Sequence, residues 1–325
     1  MKKTIMVLLI VSLFILAVGC SKENQAPEQP KTTFPERPLE FVACYAPGGG
    51  HDVMLRTMAK ILADEGIVDT AINVVNKPGG SGAVGMGYVN GHAGDGHYLM
   101  ATTSSFITTP LNSDIGINYK DFTPIARLGI DPELVLVNSK SGYQTLDDIL
   151  KSDKPINVGG TGQGTIEHLV TVRLSKLSGK KLNFIPYQGD GEVIAALMGN
   201  QIDMTITNPN TAYDYIKSGD FRALAISTTE RIDLMADVPT FRELGYDITL
   251  SLFRGVAAPK DIPEEAKAYY VDIIKKMVET ETWKKDYLEK NMITPGYLEG
   301  EEYAKYLDEM NQIYEETLRE LGIIK

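Results

Sequence analysis

The chain has 325 residues, with 43 acidic against 32 basic side chains, a net charge of −11 and two cysteines. This acidity argues against nucleic acid as a partner and against long-range steering of anions, so an anion site has to be local. Two cysteines cannot build a disulfide framework, and His51, His92, His97 and His168 lack the spacing of a metal site; no cofactor is expected.

Lys2 and Lys3 precede an uncharged, mostly apolar run over 4–18, too short for a transmembrane helix. It ends Ala17-Val18-Gly19-Cys20, which resembles a lipobox. Residues 1–19 therefore read as a lipoprotein signal peptide, with an ordinary secretory signal as the alternative. Cys20 would be acylated and hold the protein on the outer face of a bacterial membrane. Residues 20–38 are polar and proline-rich and read as a disordered tether. The remaining roughly 300 residues exceed the size at which one core usually keeps growing, so two lobes are expected.

The pattern predicts strand over 39–45, helix over 53–65, strand over 71–76, helix over 82–90 and strand over 98–103. This βαβ rhythm implies a parallel sheet with helices on its faces, an α/β fold. Leu134-Val135-Leu136-Val137 is a strand running into polar residues. The rhythm then restarts: strand 156–158, helix 165–177, strand 182–186, helix 192–198, strand 204–207, helix 211–217 and strand 223–227. A β-like run over 248–258 takes the chain back to the first lobe. Helices over 264–280, 283–291 and 301–321 close it, the last highly charged and expected on the surface. One lobe is therefore 39–137 plus 252–325 and the other 138–251, with two crossings forming a hinge. The halves share a rhythm without a sequence repeat.

Four times a strand runs into a glycine-rich loop that opens a helix: Pro47-Gly48-Gly49-Gly50-His51-Asp52, Pro78-Gly79-Gly80-Ser81-Gly82, Gly159-Gly160-Thr161-Gly162-Gln163-Gly164-Thr165 and Tyr187-Gln188-Gly189-Asp190-Gly191-Glu192. Helix N-termini present unpaired N–H groups and partial positive charge, and glycine lets a ligand approach the backbone. Two loops in each half suggest an anion held between lobes, mostly by main chain. The run Gly80-Ser81-Gly82-Ala83-Val84-Gly85 satisfies G-x-G-x-x-G. The next strand ends Thr102-Thr103-Ser104-Ser105 without the acid a dinucleotide site needs, and no P-loop occurs. Ser104 joins the candidate ligand contacts instead.

Several loop residues carry two readings. Asp52 is either an acid complementing a helix dipole or a ligand contact. His51 reads as solvent-facing. Thr165 is a helix cap or a hydroxyl near the ligand, and Tyr187 walls a pocket. Asp190, awkward near an anion, caps its helix or faces a hydroxyl or amino group of the ligand. Asn208 donates its amide to ligand or forms a turn with Pro209. Cys44 reads as a buried strand residue. No nucleophile and base pair up, and neither H-E-x-x-H nor G-x-S-x-G is present.

Taken in order, Pro47-Gly48-Gly49-Gly50-x-Asp52, Val75-Asn76-Lys77-Pro78-Gly79-Gly80-x-Gly82, Pro186-Tyr187-x-Gly189 and Arg254-Gly255-Val256-x-Ala258-Pro259 resemble the tripartite tricarboxylate transporter receptors, the Bug proteins. Gly199-Asn200-Gln201-Ile202-Asp203 and Asp237-Val238-Pro239-Thr240 fit as well. The resemblance implies a two-lobed periplasmic-binding-protein fold of the type II, Venus-flytrap kind, with a double-crossing hinge. It implies capture of a small organic carboxylate and delivery to a membrane permease of a large and a small subunit. Carried over by position, Gly48, Gly49, Gly80, Ser81 and Gly82 would come from lobe one, and Thr161, Gly164, Thr165, Tyr187 and Gly189 from lobe two. Pro47, Asp52, Ser104 and Asn208 complete the candidate ligand contacts from the reading of the loops and strand ends. Many members have glycines where this chain has Asp190, and many lack a lipid anchor. The expectation is a monomeric, lipid-anchored, extracytoplasmic receptor and no enzyme. The alternatives are a sensory receptor of the same fold and an extracytoplasmic enzyme acting on a small acid.

Overall fold

In the computed structural model the described residues are 34–187, 189–320 and 322–324. The expected signal peptide and Cys20 lie outside them. The expected tether runs to residue 38, but its last residues belong to the folded body. The Phe34 ring stands edge-on to Tyr269 and Tyr270, and its N–H donates to Glu265. An aromatic side chain with such neighbours gains more by burial than by solvation.

The first sheet has six strands in the order β11-β4-β10-β3-β1-β2. They are β1 Leu39–Ala43, β2 Ile72–Asn76, β3 Tyr98–Thr102, β4 Phe122–Asp131, β10 Leu252–Pro259 and β11 Thr294–Glu299. Only β2-β1-β3 is parallel; β10 runs antiparallel to β3 and β4, and β11 antiparallel to β4. The expected parallel sheet is thus a parallel core extended by antiparallel strands. Side chains alternate by strand period. Leu39, Phe41 and Ala43 face a core with Met54, Leu55 and Met58 of α1 (Gly50–Asp64) and Tyr270 and Ile274 of α8 (Glu264–Glu279). Val42 and Cys44 face the opposite core, with Met86 of α2 (Ala83–Asn90), Phe106 of α3 (Ser105–Asn112) and Tyr303, Leu307 and Tyr314 of α10 (Gly300–Glu320). The charged α10 is therefore amphipathic, with one face in the core.

The second sheet has five strands, β7-β6-β8-β5-β9. They are β5 Leu134–Asn138, β6 Ile156–Gly160, β7 Leu182–Pro186, β8 Met204–Thr207 and β9 Phe221–Ile226. Between them run α4 (Leu146–Leu150), α5 (Ile166–Ser178), α6 (Asp190–Met198) and α7 (Pro209–Ser218). β5 pairs antiparallel with both β8 and β9. The expected boundary at 137/138 therefore cuts a strand of the second sheet. The chain passes between sheets at Pro132 and Glu133, and returns where Ser251 leads into β10. The expected helix over 283–291 is a short α9 (Glu281–Trp283) continuing as a π-helix, Lys284–Glu289. Trp283 is fully buried and stacks on Tyr287, a packing residue.

Candidate functional site

Strand register decides which residues share an edge. In the first sheet, β1, β2 and β3 run parallel, so the loops after them leave from one end. Antiparallel pairing sets Gly255 opposite Thr102 and Leu252 opposite Asp131. Arg254 and Asp131 therefore lie at the same end as the first two glycine loops. In the second sheet, Leu134 stands opposite both Thr207 and Ile226. This puts Glu133, Thr161, Tyr187, Asn208 and Ser227 at one end. Both chain crossings join these two ends, so the four glycine loops gather around the crossings.

The loops after β1 and β6 have one shape. Gly48 and Gly164 take φ of 81° and 75°, and Gly49 and Thr165 precede their helices with the same φ of −76° and ψ of 168°. In each, the first glycine donates its N–H to a side chain four residues on: Gly48 to Asp52 Oδ2 at 2.9 Å, and Gly164 to His168 Nδ1 at 3.1 Å. The other Asp52 oxygen accepts from Arg56 at 2.9 Å. Burial works against the Asp52 charge, but these bonds from Arg56 and Gly48 hold its carboxyl below the usual range. Asp52 thus holds its loop. Pro47 is exposed in the turn, and the Gly49 N–H donates to the Ala46 carbonyl.

The loop after β2 is strained. Gly79, Gly80, Ser81 and Gly82 all have positive φ, and Ser81, at 53°, has a side chain that disfavours it. The Ser81 carbonyl accepts from Thr109 Oγ1 at 2.8 Å, which helps hold the turn. Gly80 and Ser81 are exposed, at the start of the turn, where N–H groups lie outside the helical ladder. Gly82 is buried against Tyr45 and Ser105. Ser104 is buried, and Tyr314 Oη reaches its hydroxyl at 3.4 Å.

On the second lobe, Thr161 donates to Glu167 Oε1 at 2.7 Å, and Thr165 to the Gly162 carbonyl. Gly164 has Asn112 of α3 against it; a Cβ there would lie 2.3 Å from the Asn112 amide nitrogen. Tyr187 packs on the core beside α6, and Gly189 caps α6 in an extended conformation with open space around it. Asn208 stands at the start of its helix without a side-chain cap bond. Its amide donates to the Pro132 carbonyl at 2.9 Å and Glu133 Oε1 at 3.1 Å.

Sequence reading missed the charged centre. The Arg254 guanidinium contacts Asp131 and lies against Gly50 of the first loop. Burial works against its charge, but Asp131 keeps the guanidinium protonated. Beside it a cavity of about 70 Å³ is lined by Gly48, Gly50, Asp131, Arg254, Tyr287 and Asn210 of α7. His51, expected in solvent, is 3% exposed, with Tyr45 edge-on at 4.8 Å. Both its ring nitrogens lack a partner among the described residues. Burial, with Arg254 nearby, pushes His51 down to about 3, so the ring is neutral at pH 7. Cys44 is buried as expected, its thiol pushed up to about 12 by burial. Arg254 stood in the Arg-Gly-Val motif, but nothing local tied it to a loop two hundred residues away.

No helix among the described residues is long and apolar enough to cross a membrane. An open groove of about 730 Å³ around Ser141 and α4 lies away from the crossings, and no unpaired buried polar atom lines it.

Residues 53–323 match the family model described as the tripartite tricarboxylate transporter family receptor. The chain is 30% identical over 262 residues to the protein BugT of Bordetella pertussis, covering 78% of each chain. It is similar to a crystal structure of a TctC solute-binding protein from Polaromonas, at 29% identity with a TM-score of 0.76, covering 89% of this chain and all of that one. A Rhodopseudomonas palustris protein with adipate shares the fold at 21% identity, with a TM-score of 0.79 and coverage of 90% and 99%. These neighbours share the two-lobed α/β fold of periplasmic solute-binding proteins. The chain belongs to the tripartite tricarboxylate transporter receptor family, and is a solute receptor and not an enzyme.

Proposed function

We propose that this protein is a lipid-anchored, extracytoplasmic receptor that binds a small organic carboxylate between its lobes and delivers it to the large and small membrane subunits of its transporter. The observation that carries this reading is the gathering of the glycine loops at one junction, beside buried polar groups that lack partners. The adipate-bound neighbour supports the ligand class.

The ligand carboxylate is held on lobe one by the loop of Gly80, Ser81 and Gly82, with Pro47, Gly48, Gly49 and Ser104 shaping the wall. Thr161, Gly164, Thr165, Tyr187 and Gly189 close from lobe two. Asp52 and Asn208, already bonded within the chain, position the first loop and the crossing. The hinge is Pro132–Glu133 with Ser251, so the lobes are 34–131 plus 252–324 and 134–250. Cys20 bears the lipid, and the receptor works as a monomer.

Calorimetry on the purified receptor, stripped of co-purified solute, tests the reading with a broad panel of mono-, di- and tricarboxylates. Micromolar or tighter binding of at least one acid is expected. Its absence across the panel ends the carboxylate reading. Gly189→Val adds a side chain in open space at the junction without backbone strain, since φ there is 179°. It should weaken binding at unchanged melting temperature.

A further inference from the structure

The second-lobe side of the junction is acidic, and its buried acids each keep one unpaired oxygen. Glu133 is 0% and Glu167 7% exposed. One oxygen of each is bonded, to Asn208 and Thr161 respectively. Glu133 Oε2 and Glu167 Oε2 have no partner among the described residues, and neither does Asp131 Oδ1. Asp190, exposed at the start of α6, is near enough to act on Asp131, Glu133 and Glu167. Arg254 is the cation among them, and Asp131 already engages it.

A buried polar atom without a partner costs about 1–3 kcal/mol, and more when charged. First-turn acids that complement a helix dipole explain Asp190 and part of Glu167. They do not explain Glu133, which sits on the crossing and not on a helix. These carboxylates do not converge on a metal-sized point: no group of three or more ligands suited to a metal occurs among the described residues.

The first-lobe side has the opposite character. Gly80 and Ser81 stand exposed at a helix start, where N–H groups lie outside the helical ladder, and the neutral His51 ring offers an N–H. His51 lines a void of about 10 Å³ with Gly82, Thr103 and Ser105, and its nitrogens and Thr103 Oγ1 are unpaired. The first-lobe side can donate through these groups, and the second-lobe side ends in carboxyl groups that burial holds toward their protonated form. A plain dicarboxylate would satisfy the donors and press those acids further toward protonation, whereas a cation would let them ionise and accept.

We infer that the solute carries a cationic nitrogen as well as a carboxylate, as an amino acid does, with the carboxylate on the first-lobe loops and the nitrogen against Glu133, Glu167 and Asp190. This rests on the receptor reading above and narrows its ligand class. An ammonium group has three donors, enough for the two unpaired glutamate oxygens and Asp190.

The test is calorimetry with the full chain on matched pairs that differ by one amino group: succinate and L-aspartate, glutarate and L-glutamate, adipate and L-2-aminoadipate, butyrate and γ-aminobutyrate. In at least one pair the amine should bind about tenfold or more tightly, a difference of about 1.4 kcal/mol. Glu133→Gln and Glu167→Gln should each cut that preference to under about threefold, and where either variant melts early, Asp190→Asn carries the same test from an exposed position. Equal or tighter binding of the amine-free partner in every pair that binds overturns the inference and leaves the receptor reading standing. A preference for the amine that survives all three substitutions also overturns it. Binding of no member of any pair, while an acid outside the pairs binds, does the same. Binding of nothing at all removes the receptor reading and this inference with it.

Discussion

The loops after β1 and β6 are two copies of one backbone device carrying different chemistry. Gly48, Gly49, His51 and Asp52 stand where Gly164, Thr165, Glu167 and His168 stand in the other lobe. The φ values, the helix start and the N–H bond to the fourth residue on all correspond. The position before the capping side chain is a buried group with unpaired atoms in both, a base in lobe one and an acid in lobe two. A shared scaffold thus presents an imidazole from one side and a carboxyl group from the other, and the asymmetry of the site lies in side chains.

The two devices also differ in what stands behind them, and this gives the largest expected effects. The first loop is backed by Arg254, which is paired with Asp131. Arg254→Met leaves a buried carboxylate uncompensated and should cost about 3–5 kcal/mol in denaturant unfolding. Arg254→Met with Asp131→Asn should recover much of that. If the double variant is no more stable than the single, the pair is not what holds this junction.

The second loop is backed by Asn112. Ala at Gly48 meets open space and carries only the strain of positive φ, about 1 kcal/mol. Ala at Gly164 carries the same strain and drives a methyl group into the Asn112 amide, so about 3 kcal/mol is expected. Equal costs for Gly48→Ala and Gly164→Ala would mean that Asn112 yields freely and that the lobes are not in firm contact there. Gly80→Val is a poor probe of binding alone, because φ at Gly80 is 56° and valine would strain the turn.

The sequence made the strand–loop–helix rhythm visible and placed most elements within a few residues, because β1, β3, β5 and β8 are short apolar runs between turn residues. It hid β4, a ten-residue strand between β11 and β10. Pro124 and Gly129 argue against a central strand, and the structure accommodates them with register shifts against β10. β11 carries Pro295 and Gly296 at its own irregularity, and α3 combines β-branched residues with Pro110. The glycine loops were legible because glycine acts locally. Arg254 with Asp131, 123 residues apart, was not, since only the antiparallel pairing of β10 with β4 brings them together. The match between the first and third loops was equally hidden, because it resides in dihedral angles that quite different side chains permit.

His51 and Glu167 should give opposite pH slopes. Burial depresses His51 to about 3, below its unfolded value of about 6.5. Its stabilising contribution is present above about pH 6.5 and is lost as pH falls toward the folded value. Burial raises Glu167 above the usual carboxylate range. Its contribution is full below about pH 4.3 and is lost as pH rises through the folded value. Melting temperatures of His51→Gln and Glu167→Gln relative to the parent, from pH 4 to 8, should therefore diverge. The histidine variant gains on the parent toward acid, and the glutamate variant gains toward neutral pH. Parallel curves would mean that the two positions do not have opposed environments.

The smallest effects belong to the caps. Asp52→Ala and His168→Ala each remove one acceptor for a loop N–H and should each cost about 1 kcal/mol at pH 7. Acid separates them. Asp52 accepts while ionised, and its carboxyl is held below the usual range, so its bond to Gly48 should persist as the solution is acidified. His168 accepts through Nδ1 only while the ring is neutral. Burial lowers its basicity, and Phe184 stacks on it at 4.3 Å. Even so, the Gly164 bond should fail at a higher pH than the Gly48 bond, because an imidazole takes up its proton well above a carboxylate held in this way. Amide-exchange protection measured from pH 7 down to 4 should fall first at Gly164 and later at Gly48. If the order were reversed, the ring would be held neutral by more than burial and stacking, and the two loops would differ in rigidity as well as in charge.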